Sequence, residues 1–295
     1  MNNNKAKLLL ILVMFIFGTI GIFRKYIPLP SSLIALTRGF IGMVFLLLVV
    51  FLRKDQMDWD GIKKNFFLLF LSGVFIGFNW IFLFEAYRYT TIATATICYY
   101  MAPVLVILVA PIFFREKLTK KKLICVFISF IGMALVSGIL ETGFAGASEL
   151  KGVFFGLSAA VFYAGVIVLN KSIKEIPAYD KTIVQLGAAA ITLLPYTLLT
   201  ENLTELTFTP MVIVMLLIVG ILHTGIAYAI YFGTIEKLNA QTIGLFSYFD
   251  PVVAILLSGI LLRENIGVSG AIGAVLVLGA ALVSELPERK KEVAT

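Results

Sequence analysis

Residues 103–116 read PVLVILVAPIFFRE, and residues 251–264 read PVVAILLSGILLRE. Each copy is an apolar stretch that opens on proline and closes on Arg-Glu. After a short loop, the first copy is followed by GMALV at 132–136 and the second by GAALV at 279–283. Self-similarity on this scale points to a chain built from two equivalent units. Five apolar segments fall in each half, and an odd number of membrane crossings turns the second unit upside down. The predicted fold class is an all-α polytopic membrane protein with ten transmembrane helices. They form two inverted five-helix repeats, residues 1–145 and 146–295. Inverted repeats of this kind place a binding site between the halves, near the bilayer midplane.

Composition supports the membrane class. Sixty per cent of the residues are apolar and 14% are charged, with a mean hydropathy of +1.01, far from the make-up of a soluble domain. A hydrocarbon core of ~30 Å needs about 20 helical residues. The predicted spans are 6–24, 31–52, 66–87, 92–114, 122–140, 150–170, 180–200, 211–232, 240–262 and 268–286. Their length and their lack of strict alternation favour helices over a barrel. The first span is followed by Gly21-Ile22-Phe23-Arg24-Lys25 without a small-x-small cleavage site, so it is read as a helix rather than a signal peptide.

Lys and Arg placement sets the orientation. With the N-terminus inside, the inner segments hold 17 of these residues and the outer segments 5. Both termini are therefore expected in the cytoplasm, with the protein in the cytoplasmic membrane. The formal charge of +7 then serves anchoring to anionic headgroups, and no nucleic-acid partner is expected. Cys98 and Cys125 both fall inside spans, which favours neither a disulfide nor a metal site. One histidine, two scattered cysteines and no H-E-x-x-H leave little from which to build an intramembrane enzyme. No nucleotide-binding loop is present, so direct ATP drive is not expected. The expectation is a non-enzyme without metal or cofactor.

Ionisable groups inside a bilayer cost roughly 2.5–3.5 kcal/mol each on insertion scales and need a partner or a wet cavity. Four stand out: Arg38, Glu85, His223 and Asp250. Arg38 lies seven residues into the second span, ~10 Å below its outer edge. Its planar fork suits a carboxylate or phosphate, although a structural ion pair would also hold it. Glu85 lies near the outer end of the third span, within reach of Arg38, with Arg88 as the competing partner at i+3. His223, the only histidine, falls mid-span, where an imidazole is a natural proton carrier. Asp250 precedes Pro251, which leaves the carbonyl of Ser247 without its helical donor. It serves either that kink or a proton or cation site. His223, Asp250 and Glu85 are the candidates for proton coupling.

Aromatic residues cluster around these positions. Tyr99 and Tyr100 precede Pro103, while Tyr248 and Phe249 precede Pro251 at the equivalent place in the second copy. Tyr228 and Tyr231 lie one turn apart with Thr224 on the same face, and Asn79 and Trp80 lie within the third span. Ordinary packing against helices and lipid is the competing reading for each. The candidate substrate-binding set is Arg38, Asn79, Trp80, Glu85, Tyr99, Tyr100, His223, Tyr228, Tyr248 and Asp250. Spans 2, 3 and 4 with their counterparts 7, 8 and 9 are expected to line the cavity. Gly267, Gly270, Gly273 and Gly279 permit close helix approach, either within the hairpins of spans 4–5 and 9–10 or at a dimer face.

Several of these stretches look familiar together. Ala35-Leu36-Thr37-Arg38-Gly39-Phe40, Glu85-Ala86-Tyr87-Arg88-Tyr89-Thr90-Thr91, Ala102-Pro103, Asp250-Pro251, Phe114-Arg115-Glu116-Lys117-Leu118 and Leu262-Arg263-Glu264-Asn265 occur in order along the chain. In this the chain resembles the drug/metabolite transporter superfamily, specifically its EamA-type ten-helix members. The resemblance covers essentially the whole chain. It implies an Arg-bearing second helix, an "A-L-x-Y-T" turn with Tyr87 replacing Leu, a proline in helices 4 and 9, and a "G-E-x-L" element after each. Both "G-E" elements read Arg-Glu here. Asp250 stands where Glu or a neutral residue is the family's pattern. The first span lacks the embedded Glu of the four-helix multidrug relatives, so their antiport mechanism does not carry over.

The resemblance implies movement of small metabolites by alternating access and names no substrate. The mixture of Arg38, acids and tyrosines suits an amino acid or related zwitterion. The alternatives are an organic cation, amine or drug held by the aromatics and acids, and a channel. The expected partners are a small-molecule substrate, the lipid bilayer and protons as coupling ion, with the protein a monomer or homodimer.

Overall fold

The computed structural model describes residues 3–286 except 114–117, 137–146, 174, 204–205, 236–237, 239–245, 247–248 and 265–266. Among the described residues the regular structure is helical, with no strand. The elements are α1 (Asn3–Gly18), α2 (Ile20–Lys25), α3 (Ser31–Arg53), α4 (Trp59–Tyr89), α5 (Ile92–Tyr99), α6 (Ala102–Phe113), α7 (Lys120–Val136) and α8 (Ala147–Ser172). They continue with α9 (Ala178–Thr200), α10 (Pro210–Leu217), a π-helical stretch (Ile218–Ile226), α11 (Ala227–Ile235), α12 (Phe249–Leu261) and α13 (Gly267–Glu285).

Eight helical stretches among the described residues are long and apolar enough to cross a membrane, the first from Asn4 to Lys25 and the last from Gly267 to Ser284. They coincide with predicted spans 1–4, 6–8 and 10. Of the other two, α7 fills 122–140 as far as Val136, and α12 fills 240–262 from Phe249. Most of the remainder of both spans lies outside the described residues. The third helix is longer than the predicted 66–87. Asp58 caps it by accepting from the Gly61 amide at 2.9 Å, and the turn bearing Asp60, Lys63 and Lys64 continues the helix beyond the apolar run.

The molecule carries its apolar surface outward. Leu199, Val268 and Phe67 are among its most exposed side chains, as lipid contact requires. Polar groups turn inward and bond between helices. Gln185 of α9 donates to Ser72 of α4 at 2.9 Å and to Asn170 of α8 at 3.0 Å. Asn170 donates to Ser72 at 3.1 Å. Such interhelical bonds average about 0.6 kcal/mol in membrane proteins.

α4 packs along α8 and α9, and α3 along α9 and the π-helical stretch. α1 packs on α11 and α12, while α5 and α6 pack on α8. α7 and α13 form a pair to one side. A Cβ on Gly132 of α7 would stand 2.8 Å from the Gly273 carbonyl of α13, so the glycine of the GMALV stretch meets one member of the predicted glycine stripe.

Two irregularities matter for the interior. The segment between Tyr99 and Ala102 breaks the fourth span into α5 and α6. Pro103 has no N–H to continue the ladder, and the chain responds by tightening: Met101 N bonds Cys98 O at 3.1 Å, and Leu105 N restarts the helix on Met101 O at 3.0 Å. The eighth span widens into the π-helical stretch, which holds His223 and Thr224. Long π-helical runs are rare and recur at functional sites.

Candidate functional site

The broken fourth span and the part of the eighth span beyond its π-helical stretch border a cavity of about 410 Å³. Met14, Phe17 and Gly18 of α1 and Ile20 of α2 form one wall, with Asn79, Trp80, Leu83 and Tyr87 of α4 on another. α5 and α6 contribute Thr96, Tyr99, Ala102, Val106 and Ile107, with Tyr100 at their break. Tyr163 and Ile167 enter from α8, Tyr228 and Tyr231 from α11, and Asp250 and Ala254 from α12. Arg38 is the contribution of α3.

The predicted walls need correction. α9 contributes no lining residue among those described, whereas α1, α2 and α8 do. α9 is held behind α3 and α4: a Cβ on Gly73 of α4 would meet Ala188 Cβ at 2.6 Å, so the two backbones are in close contact. Helix-by-helix symmetry reasoning from the sequence missed this, because it does not say which face of a span is occupied by a neighbour.

Arg38 is buried, at 4% exposure. Its guanidinium carbon lies 4.1 Å from the Trp80 ring centroid and 5.6 Å from that of Phe84. Its Nε donates to Thr224 Oγ1 at 3.1 Å, and the Thr224 hydroxyl donates to Val219 O at 3.0 Å within the π-helical stretch. Among the described residues no carboxylate lies within ion-pairing distance of Arg38. The guanidinium is thus stacked and steered by neutral groups, with its charge left uncompensated beside the cavity.

Asp250 stands in α12 directly before Pro251. The Tyr100 hydroxyl donates to it. Asp250 is therefore placed by the break after α5 as well as by Pro251. Trp80 and Tyr228 line the same cavity beside Arg38. Asn79 Nδ2 donates to Ala159 O at 2.7 Å, tying α4 to α8. Tyr99 packs edge-on to Tyr100 at 5.8 Å and against Tyr163 at 5.2 Å, while Phe17 packs against Tyr228 at 5.5 Å and Tyr231 at 6.2 Å.

Seven of the ten sequence-derived candidates line this one cavity: Arg38, Asn79, Trp80, Tyr99, Tyr100, Tyr228 and Asp250. Two stand apart from the lining. Glu85 is bonded to Arg88 Nη1 at 3.0 and 3.2 Å, the i+3 pairing that competes with Arg38. His223 is fully buried, with Nε2 2.9 Å from Thr19 Oγ1 and its ring edge-on to Phe23 at 4.8 Å. Tyr248 lies outside the described residues.

Tyr87, Thr96 and Tyr163 belong to the lining without having been singled out for it. A lone tyrosine inside an apolar span was the available signal for Tyr163, and Tyr87 was absorbed into the turn motif. Among the described residues no group of three His, Cys, Asp or Glu converges as metal ligands do.

The sequence profile described as the EamA-like transporter family matches residues 4–138 and again residues 150–285. The chain belongs to the EamA-like transporter family. This EamA-family chain is 32% identical over 256 residues to the uncharacterized transporter YxxF of Bacillus subtilis strain 168, covering 85% of this chain and 80% of the relative. An uncharacterized transporter of Archaeoglobus fulgidus is 26% identical over 290 residues, covering 96% and 98%. A chain of known crystal structure superposes on it with a TM-score of 0.66 at 19% identity, covering 95% of this chain and 97% of the other, which shows a shared fold. The protein is a multi-pass membrane protein, and its family points away from catalysis.

Proposed function

We propose that this EamA-family protein is a secondary carrier that moves a small zwitterionic metabolite, an amino acid or a close relative, across the cytoplasmic membrane by alternating access. The observation that carries the reading is the pairing of opposite charges in one aromatic cavity. Arg38 comes from the first half of the chain and Asp250 from the second, and both line the same 410 Å³ space. Arg38 takes the carboxylate through its planar fork, Asp250 faces the ammonium, and tyrosines contact the side chain.

The inverted five-plus-five arrangement, with both termini cytoplasmic, belongs to the same proposal. Two features support it beyond the sequence repeat. The family profile fits the chain twice. The helix pairings also interchange between halves: α4 on α8 has its counterpart in α1 on α11, and α5 and α6 on α8 in α1 on α12. Protons are the proposed coupling ion, with Asp250, His223 and Glu85 as candidate carriers.

A second reading is an organic cation held by Asp250 and the tyrosines. Uncompensated Arg38 beside the cavity weighs against it, since a like charge repels such a ligand. A thermal-shift screen of purified protein against amino acids, amines, sugars and nucleosides tests the proposal, because a ligand that binds only the folded state raises apparent stability. Amino acids should stabilise the parent and fail to stabilise Arg38→Ala. Stabilisation by amines alone would favour the second reading.

A further inference from the structure

The Arg-Glu pair that closes the second sequence copy has no part in the cavity, yet Glu264 makes two bonds at its rim. Its Oε2 accepts from the Ile92 amide at 2.9 Å, and its Oε1 pairs with Lys25 Nζ at 3.1 Å. The Glu264 side chain is 11% exposed and that of Lys25 39%, so the carboxylate is largely sheltered while its cation partner reaches solvent.

The geometry points to Glu264 as a latch that holds one end of the cavity shut. Ile92 opens α5, whose first amides have no intrahelical acceptor and whose N-terminus carries partial positive charge. Thr91 satisfies the Thr94 amide at 3.0 Å, and Glu264 satisfies the Ile92 amide. Lys25 ends α2, the short segment set off from α1 at Thr19. Glu264 itself follows α12 directly. One carboxylate thereby ties three elements, and each of them lines the cavity deeper in: α2 through Ile20, α5 through Thr96 and Tyr99, and α12 through Asp250 and Ala254. Thr96 is four residues below Ile92, about 6 Å along the helix.

The closure is backed by packing. A Cβ on Gly21 of α2 would lie 2.6 Å from Ile92 Cγ2, so α2 presses its backbone against the residue whose amide Glu264 caps. The backbone around the latch is also shaped for it. Leu262 N and Glu264 N both bond Ser258 O, at 3.1 and 3.2 Å, with Arg263 left-handed at φ 54° between them. That turn ends α12 and aims Glu264 back across the rim. Release of the carboxylate frees the three walls at this end, which is the motion alternating access needs. The inference rests on the carrier reading for its purpose, not for its geometry.

Accessibility measures the latch without any substrate. Thr96→Cys in a Cys98→Ala, Cys125→Ala background places one thiol in the cavity below the latch. An impermeant maleimide is applied to each face of oriented membrane vesicles in turn. Glu264→Ala should raise the labelling rate from the Ile92 face roughly tenfold, which corresponds to ~1.4 kcal/mol. It should leave or lower the rate from the opposite face. Glu264→Gln, which keeps an acceptor for Ile92, and Lys25→Met, which removes only the ion pair, should each give a smaller rise on the same face. Unchanged labelling in all three variants, or an equal rise from both faces, would overturn the latch. If Glu264→Ala does not yield folded protein, the other two carry the same test. Failure of the amino-acid screen with a positive result here would remove the substrate reading and leave the latch standing.

Discussion

Thr19 and His223 are joined by a 2.9 Å hydrogen bond that links the break in the first helix to the π-helical stretch of the eighth span. The Thr19 hydroxyl also lies 2.7 Å from Ile16 O and can donate there. The other ring nitrogen, Nδ1, lies 3.4 Å from the Ile218 carbonyl, so the tautomer of the neutral ring sets which partner donates between Thr19 and His223. Two irregular points of the fold are thus coupled by a group that can change protonation, just behind the cavity.

The coupling proposal follows from that bond and from Asp250. His223→Ala should abolish uphill transport driven by a pH gradient and spare substrate exchange, measured in proteoliposomes, whereas Asp250→Asn, which also loses the partner of the substrate ammonium, should weaken both. His223→Ala also removes the Thr19–His223 bond across the two elements and should cost about 1 kcal/mol of stability. If His223, Asp250 and Glu85 substitutions all leave the pH dependence intact, protons are not coupled through these groups.

Gly18 sets the approach of α1 to Asp250. A Cβ there would stand 2.6 Å from the Asp250 carbonyl oxygen and 2.8 Å from Val253 Cβ. Gly18→Ala forces the two helices apart and should destabilise by about 1–3 kcal/mol, with weaker substrate binding because Asp250 moves. Parent-like melting and affinity would show that the contact is easily relieved.

Arg263 holds a left-handed backbone position, which favours glycine. The residue sits at φ 54°, a region that costs a non-glycine residue roughly 1–2 kcal/mol. Glycine removes that cost but is freer when unfolded. Arg263→Gly should therefore raise stability by about 0.5–1 kcal/mol, read as an upward shift in detergent melting. A loss of stability would mean that the Arg263 side chain makes contacts outweighing the strain.

Much of this was legible in the sequence. The repeated stretches picked out Pro103 and the tyrosine pair beside it, because proline and hydropathy act locally, but the 92–114 span was expected unbroken and the structure divides it into two helices. Arg38 and Asp250 were legible as buried charges in apolar spans, since a charge there must face the interior. The partners of those charges were not. Arg38 stacks on Trp80 and bonds Thr224, a choice that depends on how α3, α4 and the π-helical stretch are rotated about their axes, whereas the Glu85–Arg88 pair was one of the two alternatives read from the i+3 spacing. Nor did the sequence disclose that α9 is hidden behind α3 and α4 or that α8 brings Tyr163 to the cavity. Those follow from close contacts such as Gly73 against Ala188, which no periodicity reports.

The central claim is that one cavity, with Arg38 as its anion-binding group, serves a carrier. Counterflow of a radiolabelled amino acid in proteoliposomes tests it most directly, using a ligand identified by thermal shift. The parent should show saturable counterflow. Arg38→Ala should show none, and Arg38→Lys, which keeps the charge but loses the planar stack on Trp80, should bind about tenfold more weakly or worse. Undiminished amino-acid counterflow in Arg38→Ala, or a linear flux without counterflow in the parent, would contradict the account.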